Sequence, residues 1–183
     1  MKFTPTEIPE VIVVEPDVYG DERGFFFESY HAEKYREGGI SGTFVQDNQS
    51  RSGKGVLRGL HAQLTKPQGK LVQVLSGSVL DVAVDIRRGS PTFGKWVGVE
   101  LTGENHKQLW VPPGFAHGFS TLSDSVDFAY KCTGFYYPED EIGILWNDPA
   151  IGVDWRLADP SLSKKDAENP TLAQAESRLP TYK

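Results

Sequence analysis

The chain is expected to be all-β, an antiparallel barrel or jelly roll with a few short peripheral helices. Three observations lead there. Glycine (19) and proline (12) recur at short intervals along 183 residues. The runs between them are short and alternate apolar with polar side chains, as strands joined by tight turns do. Stretches with helical spacing of apolar residues are few and brief.

The elements follow in order. "VIVVE" (11–15) and "GFFFESY" (24–30) are β-branched and aromatic runs that suit a pleated surface. "HAEKYREGG" (31–39) reads as a surface helix stopped by Gly38 and Gly39. Strands are then expected at 44–50, 55–63, 70–75 and 78–86, with the glycine of "LSGSV" making a tight turn between the last two. Further strands fall at 96–101, 108–111, 118–122 and 125–132, and "VPPGFAHGF" is read as a kinked, proline-led corner. "SLSKKDAEN" and "NPTLAQAES" form a small helical tail from about residue 160. Ser163 is placed to cap the first of these helices, with Asp166 at its third position, and Asn169 to cap the second, with Pro170 at its first position. No repeat or low-complexity linker divides the chain, so residues 1–183 are expected to be one domain.

Composition narrows the function. At 38% hydrophobic and 11% aromatic the chain is globular. A net charge of −6 argues against nucleic acid as a partner and leaves room for a local basic pocket that takes a small anion. The single cysteine, Cys132, excludes an intramolecular disulfide and fits a reducing compartment. No apolar run of signal-peptide or membrane-spanning type occurs, so a soluble, cytoplasmic protein without a membrane partner is expected.

"GVLRGLHAQ" (55–63) sets a cation and an imidazole into a strand that is otherwise apolar. Strict alternation puts Arg58 and His61 on opposite faces. They meet in one cavity only if the strand is irregular, and a bulge at Gly59 is expected to make it so. Gln46 and Asn48 share a face of "FVQDNQS", which by itself reads as an exposed polar face. Lys70 opens "KLVQVL", His117 follows the proline corner, and Tyr130 sits in "DFAYKC" on the face of Phe128. Each of these residues alone has an ordinary structural explanation. Together, on neighbouring strands, they describe a polar interior of the kind in which small barrels bind ligands.

That interior is a poor metal site. Gln63 stands where a second ligating histidine would be, and no carboxylate follows it closely. The sequence also lacks phosphate-loop, dinucleotide-binding and nucleophile-elbow patterns, and Cys132 has no neighbouring cue for activation. What is left is proton transfer and electrostatics with no metal and no cofactor. Bottom-up reading leaves open whether His61 or His117 is the base.

"GDERGFFFESY", "FVQDNQSRSGKGVLRGLHAQ", "LWVPPGFAHGF", "YKCTGFYYPEDEIGILWNDP" and "LSKKD" together resemble the dTDP-4-dehydrorhamnose 3,5-epimerases, non-metal enzymes of the cupin fold that serve dTDP-L-rhamnose synthesis. The resemblance runs from about residue 1 to 175. It implies inversion at C3 and C5 of dTDP-4-dehydro-6-deoxy-D-glucose. It assigns His61 as the general base, Tyr130 as the acid on the other face of the sugar, Lys70 as the cation at the C4 oxygen and Asp166 as the partner that orients His61. Arg23, Phe26, Glu28, Gln46, Asp47, Asn48, Arg58, His117, Glu141 and Lys165 match substrate-binding positions. A homodimer with exchanged N-terminal strands is implied, in which Arg23, Phe26 and Glu28 serve the partner's site. The alternatives are a mono-epimerase on a related dTDP-4-keto sugar and a non-catalytic nucleotide-sugar-binding module.

Overall fold

The computed structural model describes residues 1–182. Its strands are β1 (Lys2–Pro5), β2 (Ile12–Glu15), β3 (Val18–Asp21), β4 (Gly24–Phe27), β5 (Gln46–Gly53), β6 (Leu57–Gln63), β7 (Lys70–Ser76), β8 (Ser78–Asp85), β9 (Trp96–Thr102), β10 (Gln108–Val111), β11 (Phe115–Thr121), β12 (Ser125–Cys132) and β13 (Glu141–Gly143). Helix α1 (Ala32–Glu37) lies early, and α2 (Lys164–Ala167) and α3 (Leu172–Ala175) lie near the C-terminus. Two antiparallel sheets form the body, one ordered β1-β2-β10-β7-β12-β5 and the other β13-β6-β11-β8-β9. β3 and β4 make a separate two-stranded hairpin. This is the all-β, jelly-roll architecture expected.

Three apolar clusters hold it together. Val72, Val74, Val79, Ala83, Leu109, Phe119 and Phe128 pack between the sheets. The outer face of the second sheet is buried as well: Leu57, Leu60, Leu80, Val82 and Val84 pack against Trp155, Leu172 and Leu179 of the C-terminal segment. β8 and β11 are therefore covered on both sides, and every residue from Val79 to Asp85 and from Phe115 to Thr121 is buried. On the other side Tyr35 of α1 packs with Ile12, Val14, Leu71 and Trp110.

The irregularity expected at Gly59 is present. His117 lies opposite His61, yet Phe119 lies opposite Arg58, so three steps along β6 match two along β11. Gly59 has φ +122°, and a Cβ there would come within 2.6 Å of Gly118 Cα and 2.8 Å of the His117 carbonyl oxygen. Only glycine lets the two backbones approach so closely.

Several expectations need correction. β1, β3 and β13 were not anticipated, being three or four residues long without clear alternation. "VPPGFAHGF" is not a corner throughout: the turn ends at Gly114 (φ +89°), and β11 begins at Phe115 with His117 inside a regular, fully buried strand. Asn169 does not cap α3. Thr171 does, because its hydroxyl accepts from the Gln174 N–H while the Gln174 side chain accepts from the Thr171 N–H, a reciprocal arrangement that a lone asparagine cannot match. Ser163 caps α2 as expected, its Oγ accepting from the Asp166 N–H at 3.1 Å.

Candidate active site

The bulge in β6 turns His61 into the space between the sheets. Its Nε2–H donates to Asp166 Oδ1 at 2.5 Å. Asp166 is buried, and its backbone is fixed by the Ser163 cap, so capping and pairing with His61 are both served by the same short helix. Burial alone would push the Asp166 carboxyl up, but the hydrogen bond and charge of His61, with help from Ser163 and the Gly59 backbone, hold it below the usual carboxylate range. An ionised Asp166 accepts from Nε2–H and leaves His61 Nδ1 as the edge without a protein partner.

Lys70 and Tyr130 come from the opposite sheet, on the adjacent strands β7 and β12. Two adjoining chambers, of about 350 and 280 Å³, are both lined by His61, Lys70 and Tyr130. Lys70 keeps part of its surface open to this space, but protein encloses it closely, and desolvation draws its ammonium below the ordinary lysine value. Cys132, Glu141 and Asp81 oppose that shift. Burial likewise pushes the Tyr130 phenol up, so it stays protonated over a wider range than free tyrosine. No hydrogen bond within the described residues engages the Lys70 ammonium or the Tyr130 hydroxyl. Both are free to meet a ligand.

The smaller chamber also takes Arg58 and His117. Arg58 and His61 thus meet in one cavity, as the bulge allows. Arg58 Nε donates to Ser52 Oγ at 3.0 Å, which aims the guanidinium along the wall. His117 Nε2 lies 3.0 and 2.9 Å from the two carboxylate oxygens of Asp81.

The rim of the larger chamber is a linked set. Tyr136 O–H donates to Glu141 Oε2 at 2.7 Å, Lys165 pairs with Glu141, and the Tyr136 N–H donates to Gln46 Oε1 at 3.0 Å. Gln46 Nε2 donates in turn to Asn48 Oδ1 at 3.1 Å. Burial pushes Glu141 up, but Lys165 and Tyr136 together outweigh it and hold the carboxyl low. The Gln63 amide is fully used: it donates to the carbonyls of Lys66 (2.7 Å) and Phe135 (3.2 Å) and accepts from the Tyr137 N–H (2.8 Å). Among the described residues no three histidine, cysteine or carboxylate side chains converge as a metal cage.

His61, Lys70, Tyr130, Asp166, Gln46, Asn48, Arg58, His117, Glu141 and Lys165 all line the two chambers. Gln46 and Asn48 therefore face inward, against the exposed-face reading. Four expected residues stand apart. Asp47 points outward to an ion pair with Lys131 at 2.9 Å. Arg23 pairs with Asp21 on the exposed β3–β4 hairpin, Phe26 is 71% exposed there, and Glu28 pairs with Lys34 at 2.8 Å. Sequence reasoning missed Asp81 and Ser52 as parts of the site. Asp81 had a signal, a lone acid in the middle of "SVLDVAVD". Tyr136 reads from the sequence as either a packing residue or a cover for the nucleotide's base, and its hydrogen bond to Glu141 places it on the rim.

Comparison with known proteins agrees with this geometry. A family model described as dTDP-4-dehydrorhamnose 3,5-epimerase matches residues 5–174. A curated Pseudomonas aeruginosa protein of that name is 56% identical over 178 residues, which is 96% of this chain and 98% of that protein. The crystal structure of a Legionella pneumophila dTDP-6-deoxy-D-glucose-3,5-epimerase in complex with dTDP-4-keto-L-rhamnose superposes with a TM-score of 0.97 at 56% identity, covering 100% of this chain and 98% of that one. A 3'-monoepimerase from Streptomyces bikiniensis, solved with dTDP-quinovose, is also similar, with a TM-score of 0.91, 35% identity and coverage of 97% and 92%. The chain belongs to the dTDP-4-dehydrorhamnose 3,5-epimerase family.

Proposed function

We propose that this chain is a dTDP-4-dehydrorhamnose 3,5-epimerase that inverts C3 and C5 of dTDP-4-dehydro-6-deoxy-D-glucose through an enolate, without a metal or redox cofactor. The observation that carries the reading is that His61 and Tyr130 face one cavity from opposite sheets, with Lys70 in the same lining. A proton beside a ketone becomes acidic because its carbanion is an enolate, with charge on the C4 oxygen. The Lys70 ammonium stabilises that charge as it develops, more in the transition state than in the ground state. His61, oriented by Asp166, removes the proton from one face of the ring and is steadied as an imidazolium by the carboxylate. Tyr130, kept protonated by burial, gives a proton to the opposite face. The same groups act at C3 and then at C5, or in the reverse order.

Substrate binding falls to the remaining polar lining. Arg58 and Lys165 take the diphosphate, since guanidinium and ammonium groups match phosphate oxygens, and His117, Gln46, Asn48 and Glu141 hold the sugar and nucleotide. Arg23, Phe26 and Glu28 serve a substrate across a homodimer interface formed by exchange of N-terminal strands. The exposure of Val18, Tyr19, Phe25 and Phe26 on the β3–β4 hairpin supports such an interface. The protein acts as a single domain in the cytoplasm. Its buried free thiol at Cys132 and the lack of a long apolar helix among the described residues fit that setting.

The test is solvent exchange. Incubating the substrate with enzyme in deuterium oxide should place deuterium at both C3 and C5. Deuterium at C3 alone would favour the mono-epimerase reading, which the similarity to the Streptomyces protein keeps in play. An unaltered substrate would favour a binding module.

A further inference from the structure

Asp81 is the group in this molecule whose burial is hardest to explain by packing. It projects from the middle of β8, is 0% exposed, and its two carboxylate oxygens share a single donor, His117 Nε2, at 3.0 and 2.9 Å. A carboxylate has acceptor sites for about four hydrogen bonds. No backbone N–H and no hydroxyl reaches this one among the described residues. Asp85 on the same strand shows the contrast, since Arg87, Ser90 and Thr92 all donate to it. A buried acid with one partner is less stable than an apolar side chain of similar size in the same place. Departures of this kind collect at functional sites.

The partner explains the exception. His117 lines the chamber that also holds His61, Lys70 and Tyr130. Its Nε2 is committed to Asp81. Its Nδ1 has no partner within the described residues, and the ring lines the chamber, so this edge is the one left for a ligand. We propose that Asp81 is a positioning residue for the reaction: it holds His117 with the proton on Nε2 and presents the Nδ1 lone pair to a hydroxyl of the keto sugar. The inference rests on the epimerase reading and adds a second carboxylate–imidazole pair to the one formed by Asp166 and His61. The two pairs do different work. Asp166 prepares a base, whereas Asp81 fixes a hydrogen-bond acceptor whose place decides how the ring lies between the two walls. Burial holds the Asp81 carboxyl above the usual carboxylate range, and the neighbouring His117 and Lys70 oppose this only in part. The geometry is that of a carboxylate sharing one Nε2–H between its two oxygens.

The experiment has two parts. In the ¹⁵N-labelled wild-type protein without ligand, the ring nitrogens of His117, assigned by their loss in His117→Asn, should show the Nε2-protonated tautomer. A ring protonated on Nδ1 instead would overturn the proposal, whatever the enzyme turns out to catalyse. Asp81→Asn removes the charge at constant shape. It should shift the ring toward the Nδ1–H form and lower kcat by about 10–100-fold, the usual effect of losing a group that orients a site imidazole. Thermal stability should stay equal or rise. Asp81→Asn combined with His117→Asn should be no slower than His117→Asn alone. Wild-type turnover in Asp81→Asn would overturn the proposal, as would a loss of activity that merely follows a fall in Tm. So would rate losses for the two substitutions that multiply.

Discussion

His61 and Asp166 are 105 residues apart in sequence and joined by a 2.5 Å hydrogen bond between Nε2 and Oδ1. The bond depends on two local features far apart in the chain. A bulge at Gly59 turns the imidazole inward, and a Ser163 cap sets the first turn of a four-residue helix beneath it. Asp166→Asn keeps the shape but puts an amide where the acceptor was. Turnover should fall by at least about tenfold and by as much as about 10⁴-fold, since a misoriented or wrongly protonated imidazole is a poor base. Steady-state kinetics and circular dichroism together check this. A folded variant with full activity would remove Asp166 from the pair.

Gly59→Ala tests the bulge itself. The positive φ costs about 1–3 kcal/mol for a residue with a side chain. The added carbon would also collide with Gly118 Cα and the His117 carbonyl, which have no room to retreat. Both Tm and turnover should drop. An alanine variant of unchanged stability and rate would mean that β6 reaches the site without the close approach described.

The alkaline limb of the activity profile should belong to Lys70. Desolvation lowers its pKa, while burial raises that of Tyr130, so the ammonium loses its proton first as pH rises. Activity should decline below the ordinary lysine value of about 10.4. Lys70→Arg keeps a cation through this range, so it should move the limb to higher pH even if kcat falls. A limb that stays in place would assign it to another group.

A separate prediction concerns stability. Asp85 is buried, and burial pushes its carboxyl up, but Arg87, Ser90 and Thr92 overcome this and hold it below the carboxylate norm. A folded-state pKa below the unfolded one stabilises the protein above the unfolded value and is lost as pH falls through the folded one. Arg87→Ala leaves that acid without its cation. It should cost about 3–5 kcal/mol at neutral pH, with the deficit shrinking as acid protonates Asp85. Denaturant titrations at several pH values check both size and direction. A deficit that grows toward low pH would contradict the account.

How far the sequence could be read is clear from particular residues. The strands at 125–132 and 108–111 were legible to the residue, the first from its eight-residue pleat pattern and the second as a short apolar and aromatic run stopped by the two prolines that follow it. The gathering of His61, Lys70, His117 and Tyr130 was also legible as a set, since polar groups in apolar strands stand out. Two things hid the rest. β8 and β11 are buried on both faces, so alternation gives no side to their residues and Asp81 passed unremarked. Gln46 and Asn48 lie on a strand whose inner face lines the cavity, and there a polar inward face looks identical to a solvent-facing one. The choice of His61 over His117 as base came from family resemblance, and the pairing with Asp166 lies in tertiary structure that no local pattern encodes.

The central claim is that proton removal and proton return come from two different walls of one cavity. Tyr130→Phe in deuterium oxide tests it most directly. With the phenol gone, His61 should still take protons from the sugar and return deuterium to the same face. Label should therefore enter C3 or C5 of recovered substrate while inversion falls by about 10²–10⁴-fold. His61→Asn should abolish both. Inversion at the wild-type rate in Tyr130→Phe, or continued exchange at both carbons in His61→Asn, would contradict the account.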